Sequence, residues 1–203
     1  MVDMHSNLMT CLAAAVILAA SATVADAADA EAGKAKAQEV CAACHGPGGV
    51  SQAEGVPSLA GQPDGFIQWQ LVFFRSGRRQ NEVMQPLAAE LRDADIRNLA
   101  AYYSALPPQQ KAPDAADDHP DLAKAGAAIA AQNRCASCHK EDFSGQQATA
   151  RLAGQREDVL LKALRDFKSG ARTGGGVAAM PEAVAPLEDG DMQALAHYLA
   201  RLP

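Results

Sequence analysis

Cys41-Ala42-Ala43-Cys44-His45 and Cys135-Ala136-Ser137-Cys138-His139 are the two stretches that decide how this 203-residue chain folds. Both spell Cys-x-x-Cys-His, the spacing at which c-type haem is attached. Two thiols three positions apart reach the two vinyl groups on one edge of a porphyrin. The histidine that follows falls under the ring and ligates iron from one face. A structural zinc site would pair its Cys-x-x-Cys knuckles at closer separation, without a histidine directly after each pair. A thioredoxin-like redox pair needs a strand-rich βαβ setting, which this alanine-rich chain does not offer. Two copies imply two covalently bound haem c groups, with iron as the metal.

Outward from these motifs the two halves repeat. Leu59-Ala60-Gly61-Gln62 returns as Leu152-Ala153-Gly154-Gln155, and Phe74-Arg75-Ser76-Gly77 as Phe167-Lys168-Ser169-Gly170. Met84 returns as Met180, the Leu91 to Asp95 segment as Leu187 to Asp191, Tyr102 as Tyr198, and Leu106-Pro107 as Leu202-Pro203. The offset moves only from 94 to 93 to 96, and the Gly174-Gly175-Gly176 run accounts for one insertion. Each unit carries a complete set of motifs, so this is a duplication and not a solenoid.

Each unit reads as three helices. The first leads into the haem motif, over 31–40 and 122–132, where Ala, Lys, Glu and Gln dominate. The second covers 64–76 and 157–169, with apolar residues at helical spacing and a glycine, Gly77 or Gly170, to end it. The third covers 93–105 and 189–201, with aspartates at its start. No alternating pattern is sustained, so the fold class is all-α. Pro107 to Pro120, with four prolines and three aspartates among residues 107–119 and 120, reads as an extended linker. Gly33 and Gly126 are suited to a close approach between the first and last helices, against which Tyr102 and Tyr198 would pack.

Each iron has a second axial position. Met84 stands 39 residues after His45 and Met180 stands 41 residues after His139. Both lie in loop sequence before the last helix, with Pro86 or Pro181 close behind. A methionine at one place in both copies reads as a thioether on iron opposite the histidine. Met192 matches Ile96 and reads as core. His197 matches Ala101, so no duplicated role supports ligation, and His119 beside Pro120 reads as solvated. Ligation by His45 with Met84, and by His139 with Met180, leaves no position for a substrate. It raises the reduction potential and predicts a one-electron carrier, not an enzyme.

Residues 12–22 form an apolar run too short to span a bilayer and suited to a secretory signal peptide. Residues 1–11 lack the usual Lys or Arg. Export is still expected, because c-type haem is normally attached outside the cytoplasm. The expected organisation is a signal peptide over 1–27, a first haem domain over 28–106, a linker over 107–120 and a second haem domain over 121–203. Cys11 and His5 leave with the signal, and no cysteine remains for a disulfide. From residue 28 the chain has 18 basic and 22 acidic residues, a net of −4, which gives no support to nucleic-acid binding. Aromatic residues make up only 4% of the chain, so each haem disc is expected to supply much of the core. The cluster Arg75, Arg78, Arg79 and the series Lys162, Arg165, Lys168, Arg172 are candidates to hold haem propionates, face the other domain or dock an acidic partner. Trp69 has no duplicate and reads as core.

With both haem motifs, both methionines and the duplication in hand, the chain resembles the cytochrome c4 family over residues 31–203. The resemblance implies two tandem class I cytochrome c domains related by approximate twofold symmetry. It implies a periplasmic carrier between a quinol-oxidising, bc1-type complex and a terminal oxidase, often loosely associated with the membrane. The alternative is the cytochrome subunit of a periplasmic dehydrogenase such as flavocytochrome c sulfide dehydrogenase. Eight residues carry over: Cys41, Cys44, His45, Met84, Cys135, Cys138, His139 and Met180. Two positions depart from the pattern. Gly46 after the first motif is matched by Lys140, and Pro57, whose carbonyl in such folds orients the proximal histidine, is matched by Ala150. The second unit is therefore expected to hold its histidine less firmly.

Overall fold

A computed structural model describes residues 27–109, 117–173 and 179–203. The expected signal segment with Cys11 and His5, the middle of the linker and the Gly174 to Gly176 run lie outside the described residues. What is described is helical, with one isolated bridge between Gln146 and Thr149.

In the first unit α1 (Ala30–Lys36) passes through a π-helical turn, Ala37–Cys41, into the short α2 (Ala42–His45). Asp29 caps α1, its carboxylate accepting from the Glu31 and Ala32 amides. The π turn ends on the first cysteine of the haem motif, and such bulges commonly mark functional sites. Then follow α3 (Asp64–Arg75), α4 (Met84–Ala89) and α5 (Asp93–Ala105). The second unit repeats the order with α6 (Pro120–Gln132), α7 (Ala136–His139), α8 (Glu157–Ser169), α9 (Ala179–Val184) and α10 (Asp189–Arg201). Pro120, the last proline of the expected linker, is the first residue of α6, where a missing N–H costs nothing.

Two short helices depart from the expectation. Met84 and Met180 stand at the start of α4 and α9, not in loops. A helix of six residues is below the length at which periodicity shows. Asn81 starts α4 by accepting from the Val83 and Met84 amides at 3.0 and 2.8 Å. The final helices are started by their second aspartates. Asp95 accepts from the Arg92 amide and Asp191 from the Glu188 amide.

The first and last helices of each unit cross at a glycine. A Cβ on Gly33 would lie 2.0 Å from the Asn98 carbonyl oxygen, and one on Gly126 would lie 2.1 Å from that of Ala194. The middle helix packs on the last one and on the short methionine helix. Each unit thus encloses its own core: Ile67, Leu99, Ala100, Tyr102 and Tyr103 in the first, and Leu160, Leu164, Phe167, Leu195 and Leu199 in the second. Met192 and Ile96 are buried as expected. Trp69 is not core: it stacks on Phe73 but remains 51% exposed. Its place on the middle helix satisfies the apolar period, which cannot distinguish the edge of the buried stripe from its centre.

Candidate haem sites

Each haem motif closes a short helical turn whose histidine points inward while its cysteines stay near the surface. His45 and His139 are buried, Cys41 and Cys135 are half-buried, and Cys44 and Cys138 are exposed. His45 Nδ1 lies 2.8 Å from the Pro57 carbonyl oxygen, and His139 Nδ1 lies 2.8 Å from that of Ala150. A carbonyl only accepts, so each Nδ1 carries the proton and each Nε2 presents a lone pair. Burial pushes both imidazoles below the ordinary histidine range, against the opposing effect of these bonds. A neutral ring oriented from behind is the state in which histidine binds a metal. The replacement of Pro57 by Ala150 leaves the distance unchanged.

The loop after the second motif pays for its sequence. Gly46 has φ +82°, and a Cβ there would lie 2.2 Å from the Val50 carbonyl oxygen. Lys140 takes the same place with φ 68° and ψ 162°, a region used almost only by glycine. Phe143 likewise stands with φ 54° where the first unit has Gly49. It does the same work: the amides of Leu152 and Ala153 bond its carbonyl, as those of Leu59 and Ala60 bond the carbonyl of Gly49. Room for its side chain comes from Leu199, which replaces Tyr103. The Phe143 ring is buried against Tyr198.

Both methionines are partly buried, and Met180 packs on the same core as Cys135 and Leu152. Arg75 and Lys168, a repeated pair, hold the segment between the methionine helix and the last helix. Arg75 donates to the Leu91 carbonyl at 2.9 Å, and Lys168 donates to those of Ala185 and Leu187. The basic series therefore has divided roles. Arg165 pairs with Asp189 at 2.6 Å and Lys162 with Asp166 at 2.6 Å, both on the surface.

Arg79 and Arg172, also a repeated pair, meet at the boundary between the units. Each guanidinium lies over a phenylalanine of its own unit, Phe74 at 4.5 Å and Phe167 at 4.6 Å. Both donate to one acceptor, Gln70 Oε1, at 2.7 and 2.9 Å. Burial pushes Arg79 down to about 10, and burial with Arg79 beside it pushes Arg172 down to about 9. Asp166, whose charge acts on both, is bonded to Lys162 instead. Two cations facing a neutral amide call for an anion, which fits a group carrying carboxylates. With the free thiols and the two neutral histidines, the donor set suits haem in both units.

Sequence reasoning missed a buried histidine network in the second unit. His197 is 1% exposed, with Nε2 2.9 Å from Asp117 and Nδ1 3.3 Å from Glu157. Arg201 ties the two carboxylates together, 3.1 Å from Asp117 and 2.8 Å from Glu157. These contacts occupy both ring nitrogens. His119 is exposed, as expected.

Comparison with known proteins follows the same division into two units. Residues 28–102 match the family model described as cytochrome C oxidase, cbb3-type, subunit III, and residues 123–203 match the model described as cytochrome c. Cytochrome c4 from Thiocapsa roseopersicina is 38% identical over 184 residues, covering 86% of this chain and 93% of that one. A thiosulfate dehydrogenase electron acceptor from Thiomonas intermedia is 35% identical, covering 80% of this chain and 78% of that one. The crystal structure of reduced recombinant cytochrome c4 from Pseudomonas stutzeri superposes with a TM-score of 0.79 at 32% identity, covering 87% of this chain and all of that one. The chain is thus built of two tandem cytochrome c domains. The cysteine pairs Cys41/Cys44 and Cys135/Cys138 indicate two covalently bound haem c groups.

Proposed function

Because this chain belongs to the cytochrome c4 family, a family of dihaem electron carriers, we propose that it works in the periplasm, taking single electrons from a quinol-oxidising, bc1-type complex and passing them to a terminal oxidase. Each haem, when bound, supplies an iron that gains or loses one electron. The residues of the chain decide at what potential and with what reorganisation. His45 and His139 would each hold an iron through Nε2, fixed as the Nδ1–H tautomer by a backbone carbonyl at 2.8 Å. Met84 and Met180 would each offer a thioether sulfur to the same iron, a choice that would favour the ferrous state and raise the potential. Arg79 and Arg172 offer guanidiniums to the haem carboxylates.

The observation that carries this reading is that both units hold the same oriented, neutral histidine and a methionine at the same place. With a histidine and a methionine to hold each haem iron, no position would be left for a substrate, and the protein would act as a carrier of electrons. Met84→Ala and Met180→Ala test the ligation. Each should abolish the methionine-to-iron band of one haem and lower that haem's potential, and a variant that keeps both bands would refute the assignment.

A second reading is supported by the dehydrogenase-acceptor relative. In it the same module receives electrons from a periplasmic dehydrogenase, of which a flavocytochrome c sulfide dehydrogenase is one kind. Native isolation from periplasm and membranes, followed by haem absorbance and size, separates the two. A single chain reduced by a quinol-oxidising complex supports the shuttle. Stable co-elution with a dehydrogenase replaces it with the second reading. Partition between the two fractions reports any peripheral membrane association. No described helix is long and apolar enough to cross a membrane.

A further inference from the structure

The repeated Leu-Ala-Gly-Gln segment ends in a glutamine that each unit extends into the other. Gln155 Oε1 accepts from the Ser58 amide at 2.9 Å, and Gln155 Nε2 donates to the Ser58 carbonyl at 2.9 Å. Gln62 does the same to Arg151, accepting from its amide at 3.0 Å and donating to its carbonyl at 2.9 Å. Both glutamines are buried. Ser58 and Arg151 are equivalent positions of the duplication, so the two clasps are related by its symmetry.

Their place relative to the histidines gives them a role. The Ser58 amide belongs to the same peptide unit as the Pro57 carbonyl, which His45 Nδ1 bonds at 2.8 Å. The Arg151 amide shares its peptide unit with the Ala150 carbonyl, which His139 Nδ1 bonds at 2.8 Å. A peptide whose N–H is bonded has a more negative carbonyl oxygen, so consecutive bonds strengthen each other, by roughly 10–30% per bond. We infer that Gln155 is a positioning residue for the haem on His45 and Gln62 for the haem on His139. Each holds, across the domain boundary, the peptide that orients and polarises the other unit's proximal histidine.

The sign follows. An amide acceptor on the Ser58 N–H makes the Pro57 carbonyl a stronger acceptor and His45 a more electron-donating ligand. That favours ferric iron. Loss of the clasp weakens the chain and favours ferrous iron. The two loops, residues 57–62 and 150–155, each carry one histidine's carbonyl and the other's glutamine. The proximal sides of the two haems are therefore joined through four hydrogen bonds between side-chain amides and backbone. This explains why a glutamine is repeated where a generic polar surface residue would serve a single cytochrome domain.

The inference rests on the proposed histidine ligation, and the test separates the two. In the wild-type holoprotein, proton NMR of the ferrous form should place the Nδ1–H resonances of His45 and His139 under a haem ring-current shift. Their absence there would refute the ligation itself. Gln155→Leu, of similar volume but unable to accept, should shift the His45 Nδ1–H resonance upfield and raise the potential of the haem on Cys41 and Cys44 alone. Gln62→Leu should do so only for the haem on Cys135 and Cys138. Gln155→Glu retains an oxygen acceptor in either protonation state and should restore the first haem towards its original values. If Gln155→Leu fails to load haem, Gln155→Glu against Gln155→Met provides the same contrast. A shift in the glutamine's own unit, no shift at either haem, or equal shifts at both with an expanded molecule by solution scattering would each overturn the crossed assignment.

Discussion

Adding one methyl group at Gly126 should destabilise the second unit, although it places a better helix former in a helix. Alanine in place of glycine inside α6 favours the helix by about 1 kcal/mol. The crossing with α10 opposes it. The new Cβ would lie 2.1 Å from the Ala194 carbonyl oxygen, 2.7 Å from its carbon and 2.6 Å from Tyr198 Cβ. Ordinary contact begins at 3.4 Å, so against the oxygen the deficit is 3.4 − 2.1 = 1.3 Å. Two of the three obstacles are backbone, which cannot rotate aside, so the helices must separate by about that distance. Overpacking of this kind costs about 1–3 kcal/mol, and an obstacle that cannot relax belongs at the upper end. The net expectation is a loss of about 1–2 kcal/mol. For a unit of this size that corresponds to a fall in Tm of roughly 4–8 °C per kcal/mol. Gly190, on α10, is the internal control. A Cβ there meets nothing within 4 Å, so Gly190→Ala should leave Tm unchanged or raise it. The assay is thermal unfolding of the holoprotein by far-ultraviolet circular dichroism. Gly126→Ala with a Tm equal to or above that of the wild type would show that the crossing does not constrain α6.

Other outcomes follow from the same structure. Lys140→Gly should raise stability by about 1 kcal/mol, since the relief of an unfavourable backbone region exceeds the extra freedom of the unfolded chain. Phe143→Gly, relieving a similar strain but emptying a buried ring position, should lower stability in the same denaturant titration. His197→Leu should cost about 1–3 kcal/mol, because it removes the one buried polar side chain that contacts both Asp117 and Glu157; unchanged stability would mean the network is idle. The Arg165 guanidinium holds Asp189 below its ordinary value, Arg92 does so for Asp95, and the His119 amide with His197 does so for Asp117. Folded values below the unfolded ones mean stability that is present above the unfolded value, near about pH 4, and lost as pH falls through the folded values. These carboxylates should therefore lower Tm below about pH 4, beneath an earlier fall that begins near about pH 6.5, where the unfolded chain protonates the imidazoles that burial keeps neutral at His45 and His139. A Tm that stays level from about pH 7 to 3 would refute both.

Local features were legible without coordinates because they are written in short-range pattern. The haem motifs, the duplication and the extents of α3, α5, α8 and α10 all rest on spacing within a few turns, or on self-similarity at a fixed offset. Gly33 and Gly126 could be matched to a helix crossing because a glycine inside a helical pattern calls for a packing reason. What no local pattern carries is the identity of a partner in the other repeat. Gln62 and Gln155 are repeated residues, and repetition is equally compatible with a role inside each unit. Only the tertiary arrangement pairs Gln155 with Ser58 and Gln62 with Arg151, across 97 and 89 residues of chain. The same holds for Arg79 and Arg172, whose sequence reading left propionates, the other domain and an acidic partner equally open until Gln70 brings them together. His197 had no duplicate to recommend it, and its partner Asp117 lies in linker sequence. Trp69 and the short helices that carry Met84 and Met180 fall between these cases. Composition and spacing say what such residues can do, and the packing of one unit against itself decides which side faces solvent. The sequence by itself therefore determined two cytochrome c units and the cysteine pairs that mark their haems, because covalent attachment and helix periodicity are local chemistry. The tertiary structure alone decided how the two units grip each other, because that depends on which surfaces meet after each has folded.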